Sequence, residues 1–254
     1  MRCLVLNIGN SSLRGGIFKG GRLVSRFCFP VRNCATARGF SETLALELAG
    51  GLDRAALCSV VPELTAKLCR RIARQTGCEP LVLSSAASHG LRIGYRVPWK
   101  LGADRLAAAI GARALHPGEN AIIVDCGTAT TVTALRKDGL LCGGAILPGV
   151  GLWSEALASR TAQLPAVKPR KPRSPVGRTP EEAIASGLYH GHVGAIRNLV
   201  ESISDKAFGN EPCVILGTGG QASIFAREKL FTRLHPDLIL RGLLVFAAQP
   251  HAHA

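Results

Sequence analysis

Four short stretches of this chain carry residue types suited to a phosphorylated ligand. Asn7-Ile8-Gly9-Asn10-Ser11-Ser12 and Asp125-Cys126-Gly127-Thr128-Ala129-Thr130 each follow an apolar run. In both, a glycine lets the backbone approach a ligand, and successive N–H groups with nearby hydroxyls form an anion cradle. Asp125 adds a carboxylate at a strand end, where a cation that neutralises phosphate can be held. Gly217-Thr218-Gly219-Gly220 lies between a strand-like run and a helix, and its open backbone can take an adenosine moiety. Gly102-Ala103-Asp104-Arg105 sets a carboxylate beside a guanidinium. Asp104 is suited to accept a hydroxyl proton and Arg105 to bind a carboxylate or phosphate. Each stretch also has a plainer reading: a hairpin turn, an ordinary loop, or a helix start whose Asp faces the dipole.

The elements that hold these residues repeat. Residues 4–7, a turn, 13–18, the turn Lys19-Gly20-Gly21 and 22–29 read as strand, turn, strand, hairpin, strand. Residues 122–125, a turn, 131–135, the turn Lys137-Asp138-Gly139 and 140–146 read the same way. Asn7 aligns with Asp125 and Gly9 with Gly127. The repeat predicts two similar halves, one turn from each facing a shared cleft. After each meander the pattern is α/β. Helices are expected over 41–50, 63–76, 103–115, 152–161 and 221–230, and strands over 55–60, 80–84, 213–216 and 238–240, the last followed by a short helix. Thr179-Pro180-Glu181-Glu182 is a helix start, with Thr as cap and Pro in the first turn. His116-Pro117-Gly118 marks the boundary, giving domains 1–117 and 118–254.

With 254 residues and 47% hydrophobic content, the chain is neither disordered nor fibrous. No run of about 18 residues is both apolar and uncharged, so no transmembrane helix is expected, and no membrane partner. The N-terminal apolar run is too short for a secretory signal, so a soluble cytoplasmic protein is expected. The nine cysteines show no CxxC and read as small buried hydrophobes in a reducing compartment. The net charge of +14 implies attraction to anions. The densest basic run, Lys168-Pro169-Arg170-Lys171-Pro172-Arg173, is proline-spaced and therefore extended. Aromatics are 5% of the chain, too few for a stacking platform, so nucleic acid is not the expected partner. The run reads as a solvated loop, with phosphate steering or a nucleic-acid contact as the alternative. His190 and His192 fall on different faces of a helix and read as structural or solvated.

Taken in order, several pieces resemble type III pantothenate kinases, of the acetate and sugar kinase/Hsp70/actin superfamily. They are Gly9-Asn10-Ser11, Tyr95 and Pro98 before Gly102-Ala103-Asp104-Arg105, 124–130, 143–149, Arg160-Thr161-Ala162-Gln163-Leu164-Pro165, Ser186-Gly187 and 217–220. The resemblance implies two ribonuclease H-like, actin-like domains, each a mixed sheet flanked by helices, with an interdomain cleft. It implies ATP-dependent phosphorylation of pantothenate at its terminal hydroxyl, the first step of coenzyme A biosynthesis, in a homodimer. Asp104 is then the general base, and Tyr95, Gly102, Ala103, Asp104 and Arg105 contact pantothenate. Asn7, Ile8, Gly9, Asn10, Ser11, Ser12, Leu13, Arg14 and Thr128 line the ATP phosphates. Asp125 is the ligand of a monovalent cation, potassium or ammonium, and Mg2+ accompanies ATP. The family normally has Asp where this chain has Asn7, and an ungapped match puts Pro180 where it has a pantothenate-binding Thr. Those two positions leave a catalytically weak regulatory relative, or a kinase with another acceptor, as the alternative.

Overall fold

Cys3-Leu4-Val5-Leu6 is an unbroken apolar run, and a strand without a polar face needs cover on both sides. In the computed structural model, which describes residues 1–31, 42, 45, 50–209 and 211–250, this run lies in the central strand of a sheet. The strand is β1 (Arg2–Ile8), followed by β2 (Ser12–Lys19), β3 (Arg22–Pro30) and β4 (Arg54–Ser59). Next come helix α1 (Pro62–Thr76) and the two-residue strands β5 (Leu81–Val82) and β6 (Arg92–Ile93). The sheet order is β3-β2-β1-β4-β5, antiparallel through the meander and parallel from β1 to β5. Leu64, Leu68 and Ile72 of α1 pack against Leu4, Leu6 and Ile8 on one face. The expected helix over 41–50 lies outside the described residues, apart from positions 42, 45 and 50.

Helix α2 (Ala103–Leu115) is followed by a second meander, β7 (Asn120–Cys126), β8 (Ala129–Leu135) and β9 (Leu140–Pro148). Then come α3 (Val150–Arg160), the 29-residue α4 (Pro180–Phe208), β10 (Cys213–Thr218), a 3-10 turn (Ala222–Glu228) and β11 (Arg233–Leu234). Five strands of the second, six-stranded sheet run β9-β8-β7-β10-β11 and repeat the order of the first. The repeat extends to detail, because each meander has a register irregularity near the end of its second strand, at Ile17/Phe18 and at Ala134/Leu135. This is the two-sheet, helix-flanked α/β architecture that the sequence predicts.

Two expectations near the C-terminus are corrected. Residues 238–240 form no strand; they open helix α5 (Leu238–Ala248). Three apolar residues do not distinguish strand from helix, and the burial of Gly242, Leu243, Phe246 and Ala247 shows the longer helical spacing. Residues 221–230 form only the short 3-10 turn rather than an α-helix. The chain divides into one unit of Met1–Leu115 plus the segment from Leu238 onward, and a second of His116–Asp237. The sequence reading divides the chain at 117/118, whereas the contacts divide it at 115/116 and group α5 with the first unit. There it packs closely on α2: a Cβ on Gly242 would strike the Ala107 carbonyl, and one on Gly111 the Leu238 carbonyl. No helix among the described residues is long and apolar enough to cross a membrane.

Candidate functional site

In the first unit, β1 delivers Asn7 half-buried to the sheet end, and the chain then turns over Gly9, whose N–H donates to Ser12 O at 3.0 Å. Parallel pairing sets Asn7 beside Cys58 of β4. The fully buried Cys58 thiol donates to Asn7 Oδ1 at 3.3 Å. The thiol thus uses one of the two acceptor positions of Oδ1 and ties the Asn7 carboxamide to β4. Arg14 pairs with Asn7 across β2, so the whole segment from Asn7 to Arg14 is one tight hairpin.

The second group in this unit sits at the start of α2. Asp104 Oδ1 accepts the Arg105 backbone N–H at 2.8 Å, which fixes the carboxylate at the positive end of the helix. Arg105 reaches back to Tyr95, its Nη1 donating to the phenol oxygen at 2.7 Å with the guanidinium 5.4 Å from the ring centre. A Cβ at position 102 would approach Asp104 Oδ1 and Arg105 Nε, so Gly102 leaves the space these groups occupy. All four residues are partly exposed. The structure therefore brings Tyr95, Gly102, Asp104 and Arg105 together as an acid–guanidinium–phenol cluster, able to grip an anionic group beside a proton acceptor.

In the second unit three segments converge on the end of β7. The Gly127 N–H donates to Ala129 O at 3.1 Å, closing the turn that presents Thr128. The Gly149 N–H, at the start of α3, donates to Thr128 O at 2.9 Å. The Gln221 N–H donates to Cys126 O at 2.9 Å, pulling in the loop after β10. Gly219 in that loop has φ +91°, and a Cβ there would run into Asp125 Oδ1 and the Cys126 carbonyl. Only glycine meets both conditions. The result is a backbone-walled cradle around one carboxylate.

The profile of a family described as type III pantothenate kinase matches residues 3–202. Type III pantothenate kinase of Legionella pneumophila (strain Corby) is 38% identical over 96% of this chain and 97% of its own. Type III pantothenate kinase 1 of Francisella tularensis subsp. holarctica (strain OSU18) is 36% identical over 94% and 96%. The chain belongs to the type III pantothenate kinase family. Among solved structures, a Baf family transcriptional activator from Campylobacter jejuni aligns with TM-score 0.61 at 19% identity, covering 96% of each chain. The ethanolamine utilization protein EutJ from Carboxydothermus hydrogenoformans aligns with TM-score 0.55 at 15% identity, over 97% of this chain and 89% of its own. At those identities the two structures speak for the fold alone.

Within this pantothenate kinase family member, the first unit carries Asn7–Arg14 and the Tyr95/Asp104/Arg105 cluster, and the second carries Asp125 and Thr128. Thr179 is committed to the helix cap: its hydroxyl accepts the Glu182 N–H at 3.3 Å, and Glu182 Oε2 accepts the Arg178 N–H at 2.8 Å. Pro180 follows in the first turn of α4. His192 is structural, as its helical position suggests. It is fully buried between Trp153 and Phe225, with Nε2 3.0 Å from Thr130 Oγ1. Burial pushes its pKa down to about 4. Cys3 and Cys126 also behave as core residues, with burial pushing each thiol up to about 12. Two contributors escape a reading by motif. Cys58 is joined to Asn7 only through strand register, and Gln221 stands one residue past the glycine motif that signals it.

Proposed function

We propose that this chain transfers the γ-phosphoryl group of ATP to the terminal hydroxyl of pantothenate. The observation that carries the reading is the Asp104–Arg105–Tyr95 cluster in a member of this family. In this reading Arg105 holds the pantothenate carboxylate, and Tyr95 orients the guanidinium. Asp104 Oδ2, not used in the bond to Arg105 N, accepts the hydroxyl proton as the oxygen attacks the γ-phosphorus. Asn7–Arg14 and Thr128 seat the phosphates through backbone N–H groups and hydroxyls. Phosphoryl transfer of this kind depends on positioning and charge neutralisation more than on covalent work by the protein.

The donor set fits cations that arrive with the substrate. Among the described residues no group of three or more His, Cys, Asp or Glu could hold a metal. Asp125, walled by backbone at Gly219, offers one hard oxygen, which suits a Mg2+ bound mainly through nucleotide phosphates or a loosely held potassium or ammonium ion. Such a cation supplies neutralisation of phosphate charge. We further propose a cytoplasmic homodimer. A groove of about 650 Å3 lined by Trp153, Leu157, Leu164, Ile184 and Leu188 is the apolar face that a second copy would cover.

The test is ADP release by the purified protein with ATP, Mg2+ and K+, with and without pantothenate. Pantothenate-dependent release that disappears in Asp104→Asn supports the reading. Nucleotide binding without release points instead to another acceptor or a regulatory role, for which Asn7 and Pro180 are the sequence support.

A further inference from the structure

The charged side chains of the basic run 168–173 are exposed, as its composition suggests, but the loop that carries them is anchored to its surroundings. Val167, just before it, is buried, and its N–H and C=O both bond the Ser154 hydroxyl. Within the run, Lys171 Nζ lies 2.7 Å from Glu228, whose carboxylate also accepts the Tyr189 hydroxyl at 2.6 Å. Beyond it, the Pro175 carbonyl accepts the Ser186 hydroxyl at 2.6 Å. A Cβ on Gly177 would clash with the backbone of Glu182 and Ala183. The segment is pinned before, within and after its charges, so the backbone that carries them is held in place.

They surround a cavity of about 530 Å3, lined by Arg170, Lys171, Arg173, Ser174, Val176 and Glu182 among others. Lys171 is neutralised by Glu228, and one oxygen of Glu182 is taken by the Arg178 N–H. Arg170 and Arg173 have no ion-pair or hydrogen-bond partner for their guanidinium groups among the described residues. The Ser174 oxygen accepts the Val176 N–H at 3.0 Å, leaving the hydroxyl proton to donate. Two unpaired planar forks match a dianionic phosphoryl group. The volume falls in the range of small-molecule sites and exceeds what one phosphate needs. Val176 and Ala185 provide apolar wall for an organic body.

We propose that this cavity binds a phosphate-bearing small molecule through Arg170, Arg173 and Ser174, none of which is among the residues assigned to ATP in the proposed reaction. The site needs no kinase activity, so it stands or falls separately from that reading. The experiment is calorimetric titration of inorganic pyrophosphate into the full chain, with the nucleotide site first saturated by a non-hydrolysable ATP analogue. One saturable site is expected, persisting at about 0.15 M salt, where diffuse surface attraction is largely screened. Arg170→Ser with Arg173→Ser should weaken it at least about tenfold, as for loss of charge-assisted bonds. Lys168→Ser, which removes a charge outside the cavity lining, should leave it unchanged. All these side chains are exposed, so the variants should keep the native melting temperature. Absence of a saturable site overturns the proposal, as does equal weakening by Lys168→Ser.

Discussion

At the residue scale, a general base stabilises the transition state far more than the bound substrates. Asp104→Asn preserves the shape and the Oδ1 bond to Arg105 N but cannot take the hydroxyl proton. Turnover should fall on the order of a hundredfold or more, with KM for both substrates largely kept, in steady-state kinetics. Unchanged turnover removes Asp104 from the chemistry. Asn7 calls for the opposite experiment. Asn7→Asp puts a carboxylate at the sheet end, with the Cys58 thiol still able to donate to it. Activity should be kept or raised, with half-maximal rate reached at lower Mg2+, because a charged oxygen holds a hard cation better than a carboxamide. A large loss would mean that the site has been rebuilt around the Asn7 carboxamide.

At the element scale, what was readable in sequence depended on how local the cause is. The two turns, α2 with Asp104 and the Thr179 cap are written within a few residues, and the structure forms each of them. The partner of Asn7 was not readable, because Cys58 reaches it through parallel pairing across 51 residues. The second unit repeats the arrangement, with Thr218 of β10 registered against Asp125 of β7. His192 shows how an element can convert burial into pH dependence. Its folded pKa is about 4 against an ordinary 6.5. Below pH 6.5 the unfolded chain takes up a proton that the folded chain refuses, so stability is full above that value and is lost as pH falls toward 4. Urea midpoints should show a loss of about 2 kcal/mol between pH 7 and pH 5, reduced in His192→Gln. An equal pH response in that variant would assign the effect to other groups.

At the scale of the whole molecule, the chain leaves its first unit at Leu115 and returns to it at Leu238. The sequence boundary missed the return because helix packing between distant segments leaves no mark in local periodicity, apart from two glycines. Those glycines make the claim testable. Gly242→Ala forces a methyl into the Ala107 carbonyl and should cost about 3 kcal/mol in chemical denaturation, the scale of core overpacking. A neutral result would separate α5 from that unit's stability. The surplus of positive charge acts over the same scale. ATP and pantothenate are both anions, and a net +14 raises their encounter rate without adding a contact. If that is its use, kcat/KM for both substrates should fall severalfold as ionic strength rises from about 0.02 to 0.3 M, with kcat nearly constant. Potassium must be held fixed and the strength varied with a bulky inert cation, so that any specific ion effect stays constant. A kcat/KM that ignores salt would show that the charge serves fixed sites such as the arginine cavity rather than steering at a distance.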